Sequence, residues 1–301
     1  MSIEIIFLGT GGSIPTKRRN LPSVVVKRKD EILMFDCGEG TQKQMLLSKV
    51  GINKKMKVLI SHLHGDHVLG LPGLIQTMSL LGRNKELEIY GPLGIEDFLE
   101  SISKTVQFNL NYSIKVNSIN EGKILETNEY EIFAKQANHG IPCFAFALIE
   151  KAKPGRFYPE KARALGIPEG PLWKKLQTGE DIVFKGTIIK SSQVVGPPRK
   201  GLKIVYALDT RPCEAILELA KDADVLMHDS TFGNDMVEKA NEYGHSTSSQ
   251  AANIAKAANV KKLVLLHISP IYNKNPYKLL KEAKKIFPSS IMPKDLESIK
   301  I

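Results

Sequence analysis

The 301-residue sequence holds only three cysteines, Cys37, Cys143 and Cys213. An odd, scattered trio builds neither a disulfide framework nor a Cys-type zinc site. No run approaches about 18 uncharged apolar residues, which excludes a transmembrane helix. The opening MSIEIIFLGTGG carries Glu4 and soon reaches glycine. It has neither the basic start nor the long apolar stretch of a secretory leader, so a cytoplasmic protein with no membrane partner is expected. Low-complexity tracts and internal repeats are also missing. Acidic residues are in the minority: 42 Lys and Arg stand against 32 Asp and Glu, a net charge of +10. That excess fits a polyanionic partner. A lysine-rich solvated surface gives the same composition and is, on charge alone, the more economical explanation.

Short apolar runs are present in both halves. Ile3–Leu8, Ser23–Val26, Ile32–Phe35, Lys57–Ser61, Glu129–Phe133, Ile204–Leu208, Val225–His228 and Lys262–Leu266 predict buried strands. Helical spacing occupies Thr41–Val50, Leu71–Leu81, Pro212–Lys221 and Thr247–Ala258. The mixture predicts a layered α/β or α+β body. Lys151–Gly179 stands apart, being rich in Pro, Gly and Lys and holding the only tryptophan, Trp173. A short helix near Pro159–Leu165 is expected there between turn-rich flanks. Some ~29 residues are long for a passive connection, so the segment reads as an insertion.

The chemistry lies in the histidines. Three of the seven fall within His62-Leu63-His64-Gly65-Asp66-His67, directly after the apolar run KVLIS. A turn at a strand end directs several side chains toward one point. Imidazole nitrogens and a carboxylate there suit Zn²⁺, with Mn²⁺ or Fe²⁺ as alternatives. So many donors can serve two ions, which together hold the attacking and leaving oxygens of a phosphoryl displacement. His139, Asp209, His228 and His267 also sit at or just beyond predicted strand ends, where α/β folds place their sites. His245 lies on a loop before a predicted helix, free to donate a proton or simply to precede the cap.

Taken together these residues resemble the metallo-β-lactamase superfamily and, within it, the short form of the ribonuclease Z family. The opening Phe7–Gly12, the turn Phe35–Thr41, Asp209-Thr210-Arg211-Pro212, Gly244-His245-Ser246-Thr247 and His267-Ile268-Ser269-Pro270 all fit that pattern. Pro15–Asn20 fits the family's PxKxRN loop, which senses the tRNA 3′ end, and Gly170-Pro171-Leu172 fits its tRNA-gripping arm. One departure is Asp229, where the family usually has the longer Glu supporting the catalytic histidine.

The resemblance implies a single metallo-β-lactamase domain over residues 1–301, an αββα sandwich, with residues 151–179 inserted as a flexible exosite arm. It implies two Zn²⁺ per subunit, with Mn²⁺ as the alternative. His62, His64 and His139 would hold one ion, Asp66, His67 and His267 the other, and Asp209 would bridge them. Asp66 would orient the attacking water and take its proton, while His245, supported by Asp229, would protonate the leaving oxygen. Lys17, Arg19, Asn20, Thr210, Arg211, Gly170 and Pro171 would contact substrate. The implied activity is removal of the 3′ trailer from precursor tRNA by a homodimer. Two other readings fit the metal motif alone: a hydrolase of small esters or cyclic phosphodiesters, and an RNA-binding protein with structural metals.

Overall fold

Ile5 to Gly9, Ser23 to Val26, Ile32 to Phe35 and Leu263 to Leu266 are buried at every position. Strands apolar on both faces need a layer on each side. The computed structural model, which describes residues 3–301, supplies those layers as an αββα sandwich of two seven-stranded sheets.

In the first sheet the spatial order is Ser298–Lys300, Glu4–Gly9, Ser23–Arg28, Glu31–Phe35, Lys55–Leu59, Leu87–Gly91 and Ile114–Ser118. Pairing is antiparallel up to Glu31–Phe35 and parallel beyond it. Alternation splits each strand between two cores. Ile6, Leu8, Met34 and Val58 face outward, onto Met45, Leu71, Leu74, Ile75, Met78 and Ile95 of helices Thr41–Ser48, Gly70–Leu80 and Ile95–Thr105. Phe35 faces inward, stacking on Tyr206 with 5.2 Å between centroids and tilting against Phe146 at 6.0 Å.

The second sheet runs Ser290–Ile291, Leu263–Leu266, Val225–Asp229, Lys203–Ala207, Phe144–Glu150, Tyr130–Gln136 and Gly122–Glu126. Its first four strands are parallel. Helices Glu214–Ala220, Ser248–Ala257 and Tyr277–Ile286 bury small or branched residues, among them Ile216, Ala251, Ala255, Leu279 and Ala283.

The chain divides into two compact units. The first takes in the residues up to Leu125, Ile132–Ala147 and Ile204–Ile301; the second is Glu126–Glu131 with Leu148–Lys203. Lys151–Gly179 lies wholly within the second unit, which has a core of its own: Ala162, Ile167, Trp173, Leu176, Ile182, Ile189 and Val194. Trp173 packs on Phe157 at 5.1 Å and donates its Nε1–H to the Ile167 carbonyl at 3.0 Å. The expected short helix spans Pro159–Ala164, and a second spans Pro171–Gln177. A hairpin, Ile182–Phe184 with Thr187–Ile189, turns at Lys185 and Gly186, both at positive φ (49° and 79°), as a tight two-residue turn demands.

Candidate metal centre

The parallel strands end on one edge of the first unit, and polar residues follow almost at once. Asp36 succeeds Glu31–Phe35 and Asp209 follows Lys203–Ala207 by one residue. His267 succeeds Leu263–Leu266, and Asp229 closes Val225–Asp229. His62 and His64 follow Lys55–Leu59, and the short helix Gly65–Val68 carries Asp66 and His67. Asp36, Asp209 and His267 adopt left-handed backbone angles, φ 56°, 54° and 61°. Such angles cost on the order of 1–3 kcal/mol each outside glycine, so the surroundings must over-determine all three.

His62, His64, His139 and Asp209 each place one donor atom within 4.8 Å of the others, and so do Asp66, His67 and His267. Asp209 joins the sets. Its Oδ2 lies 3.6 Å from His62 Nε2 and 3.8 Å from His139 Nε2, and its Oδ1 lies 3.2 Å from both His67 Nε2 and His267 Nε2.

Hydrogen bonds behind the rings fix which nitrogen is bare. His139 Nδ1 donates to the Gly244 carbonyl at 2.9 Å, and His67 Nδ1 to the Asp36 carboxylate at 2.7 Å. Ser61 gives its hydroxyl proton to Asp36, so its Oγ accepts from His62 Nδ1 at 2.9 Å. Thr231 gives its proton to Asp229, so its Oγ1 accepts from His267 Nδ1 at 2.7 Å. All four Nε2 atoms are thereby left as acceptors pointing inward. His62 Nε2 and His139 Nε2 converge on His64 Nδ1 at 3.0 and 3.2 Å. His67 Nε2 and His267 Nε2 stand 3.3 Å apart, beside a buried Asp209 Oδ1 that has no hydrogen-bond partner among the described residues.

Lone pairs facing lone pairs on buried rings require positive charge. Burial and the surrounding imidazoles hold His62 and His139 below the ordinary imidazole pKa, so protonation does not relieve their set. Burial also opposes charge on His67, but Asp209 and Asp36 outweigh it and raise its pKa. That demand at Nε2 is the one a cation meets. The residues present fit a divalent metal.

His245 adjoins this cluster: with Asp209, Asp229 and His267 it makes a third set whose donor atoms lie within 4.8 Å of one another. Its Nδ1 donates to Asp229 Oδ2 at 2.8 Å, so the shorter carboxylate does reach. Asp229 is saturated: Oδ2 also accepts from Thr210 N, and Oδ1 accepts from Thr231 N and Oγ1. With every lone pair used, it orients His245 rather than ligating a metal. Burial lowers the His245 pKa, but the Asp229 charge and hydrogen bond dominate and push it up to about 9. The pair thus favours the protonated ring. Ser248–Ala257 follows, capped at Thr247 by a reciprocal bond with Gln250, which anchors the loop. His228 lies apart, buried in its strand with Nδ1 donating to the Asp229 carbonyl.

The glycine loop presses on the cluster, since a Cβ at Gly12 would lie 2.4 Å from the His267 ring. Asp295 ties that loop to Pro15–Asn20. Its oxygens accept from Thr10 N and Oγ1, from Asn20 N and from Gln44 Nε2. Lys17 is exposed on the loop, and Asn20 also donates from Nδ2 to the Glu39 carbonyl. Arg19 differs from its expected role. It is buried and spends Nη1 on Thr10 Oγ1 and the Pro293 carbonyl, so it braces the loop instead of reaching outward. Thr210 is buried as well, its Oγ1 donating to the Arg211 carbonyl. Arg211 donates to the Asn241 and Glu242 carbonyls and to Asn138 Oδ1. Both are supports of the site. Gly170 and Pro171 lie exposed at the start of helix Pro171–Gln177, in the second unit.

The cluster opens into a cavity of about 500 Å³ lined by Ser13, His64, Asp66, His139, Asp209, Thr231, His245 and His267, together with Phe232, Lys239, Tyr243, Ser269 and Ile271. Asp36, Ser61, Thr231 and Asp295 were not expected as site residues. Only Asp36 left a signal, as an acid just past a predicted strand.

Comparison with known proteins agrees with this geometry. A family model described as a beta-lactamase superfamily domain matches residues 190–268, and one described as anti-Pycsar protein Apyc1 matches residues 3–152. A ribonuclease Z of Methanosarcina acetivorans is 46% identical over 99% of this chain and 98% of its own length. One of Nitrosopumilus maritimus is 46% identical over 99% of this chain and all of its own length. Among solved structures, the short form of human tRNase Z superimposes with a TM-score of 0.71 at 26% identity, over 98% of both chains. Fold, donor cluster and full-length identity converge: the chain is an enzyme with a divalent-metal site, and it belongs to the ribonuclease Z family.

Proposed function

We propose that the enzyme removes the 3′ trailer from precursor tRNA, using two Zn²⁺ per chain. It cuts 3′ to the discriminator nucleotide and leaves a 3′-hydroxyl on the tRNA and a 5′-phosphate on the trailer. The observation that carries this reading is the meeting, in one open cavity, of two donor sets sharing Asp209 with the His245–Asp229 pair. His62, His64 and His139 would hold one ion and Asp66, His67 and His267 the other. The N/O donors suit Zn²⁺, with Mn²⁺ as the alternative. When bound, such a pair lowers the pKa of water and steadies both oxygens of an in-line displacement.

The chain's own residues do the rest. Asp66 accepts a hydrogen bond from the Ser13 amide at 2.8 Å, which fixes the carboxylate at the cavity wall. Asp66 orients the attacking water and takes its proton. His245 carries a proton held ready by Asp229 and gives it to the departing 3′-oxygen.

Recognition is assigned to residues outside the donor sets. Lys17 and Arg18 are exposed on the Pro15–Asn20 loop and meet the RNA 3′ end. Lys153, Arg156, Lys161, Arg163, Lys174 and Lys175 are exposed on the second unit, as phosphate contacts require. Residues 151–179 act as the arm, with Gly170 and Pro171 at its exposed turn. A homodimer is supported by the exposed Leu46, Leu47, Leu69, Leu80 and Leu81, on and beside helices Thr41–Ser48 and Gly70–Leu80. The test is to incubate zinc-loaded enzyme with a 5′-labelled precursor tRNA, with and without chelator, and map the ends. One chelator-sensitive cut leaving a 3′-hydroxyl supports the reading. An uncut precursor, with full metal occupancy, refutes it.

A further inference from the structure

Part of the cavity wall carries neither a metal donor nor a member of the His245–Asp229 pair. It is made by Lys239 and Tyr243 of helix Val237–Tyr243, with Phe232 and Ile271. Lys239 and Tyr243 are four residues apart and share one face of the helix. Tyr243 is 54% exposed, so its ring is free to meet a ligand. Phe232 is buried, its ring centre 6.2 Å from that of His245.

A seven-residue helix does not hold its place unaided. This one is pinned at its C-terminal end. Arg211 donates to the Asn241 and Glu242 carbonyls, and Gly244, at φ 79°, ends the helix and turns its own carbonyl onto His139 Nδ1. A Cβ at Gly244 would stand 2.7 Å from that nitrogen. The same few atoms therefore fix His139, His245 and the face that presents Lys239 and Tyr243.

We propose that Tyr243 and Lys239 form a nucleotide subsite: Tyr243 stacks on the base of the nucleotide whose 3′-oxygen departs, and Lys239 pairs with a phosphate beside it. The proposal rests on the processing reading above and specifies how that enzyme holds the RNA at the cut. Single-stranded RNA is gripped by rings on which bases stack and by cations along its backbone. Stacking accepts any base, because each has a π face. The side of the cut follows from chain connectivity. Tyr243 is joined through Gly244 to His245, which protonates the leaving oxygen, so the ring serves the leaving-group side.

The test pairs protein variants with altered precursors. Tyr243→Ala should lower kcat/KM on an intact precursor by roughly 5- to 150-fold, and Tyr243→Phe should restore it. A precursor abasic at the nucleotide 5′ to the cut should cost wild type a similar factor, and the two losses should not add. Zinc content and the alkaline limb of the pH profile should stay unchanged in Tyr243→Ala, which a disturbance passed through Gly244 would not allow. Lys239→Gln should flatten the slope of log K against log salt by about 0.7. Additive losses, wild-type activity of Tyr243→Ala, or non-additivity only with a base missing 3′ to the cut would each overturn the subsite. A wild-type enzyme that leaves the intact precursor uncut overturns the processing reading and the subsite with it.

Discussion

Replacing Asp229 by Asn tests the proton-transfer pair without touching a proposed metal donor. In the native site burial opposes charge on His245, and Asp229 overcomes it to set the pKa at about 9. Asn removes the charge and leaves the burial, so the ring falls back to or below its ordinary value of ~6.5. A leaving-group acid must be protonated, so activity is present below its folded-state pKa and is lost as pH rises through it. At pH 7.5 a pKa of 9 leaves nearly every ring protonated, and one near 6 leaves a few per cent. The single-turnover rate should therefore fall roughly 30-fold at that pH and less than that near pH 6. Cations at the neighbouring Asp209 lower both limbs together, so the native limb lies at or below pH 9 and the shift between enzymes survives. Asn also turns an NH₂ group toward donors that Asp229 now satisfies, at a cost of about 1–3 kcal/mol in stability. Rates measured on 5′-labelled precursor from pH 5.5 to 9, with zinc content determined alongside, decide the matter. An alkaline limb that stays in place in Asp229→Asn would show that His245 is not the acid.

Three further outcomes follow from the same geometry. Asp36→Asn loses the charge that fixes His67, so affinity for the ion that His67, Asp66 and His267 would hold should weaken by roughly 10- to 100-fold in a competition titration. Lys17→Ala with Arg18→Ala should change the ratio of cleavage between CCA-ended and CCA-less tRNA, while Arg19→Ala should instead lower the melting temperature, because only Arg19 is buried. Replacing residues 154–198, most of the second unit with its core, by a short Gly/Ser linker should leave zinc content intact. Precursor binding should weaken, and its salt slope should flatten by about 0.7–0.9 for each phosphate that the shortened chain no longer neutralises.

The metal motif was legible because its donors are clustered in sequence and follow an apolar strand. His139, Asp209 and His267 were legible through their position past strand ends, and for Asp209 and His267 the strands are parallel, which delivers such residues to one edge. Asp295 was not, because its partner Thr10 is 285 residues away and nothing local marks an acid that holds two loops. The burial of Arg19 was hidden likewise: the loop sequence shows three adjacent cations, and only Thr10 and the Pro293 carbonyl determine which one turns inward. The insertion read as a jointed loop because Pro and Gly dominate its flanks. Its core depends on Ile182, Ile189 and Val194, which lie beyond the stretch that looked unusual. Tautomers lie outside any sequence pattern, since they are set by Ser61, Asp36, Gly244 and Thr231, residues scattered over the fold.

The shared carboxylate of Asp209 is the centre of the account, and a zinc titration of chelated enzyme tests it most directly. Cleavage of labelled precursor tRNA should rise in proportion to added Zn²⁺ and saturate near two equivalents per chain, while Asp209→Ala should bind less metal and stay inactive at any zinc concentration. Saturation at one equivalent, or full metal occupancy and activity in Asp209→Ala, would contradict it.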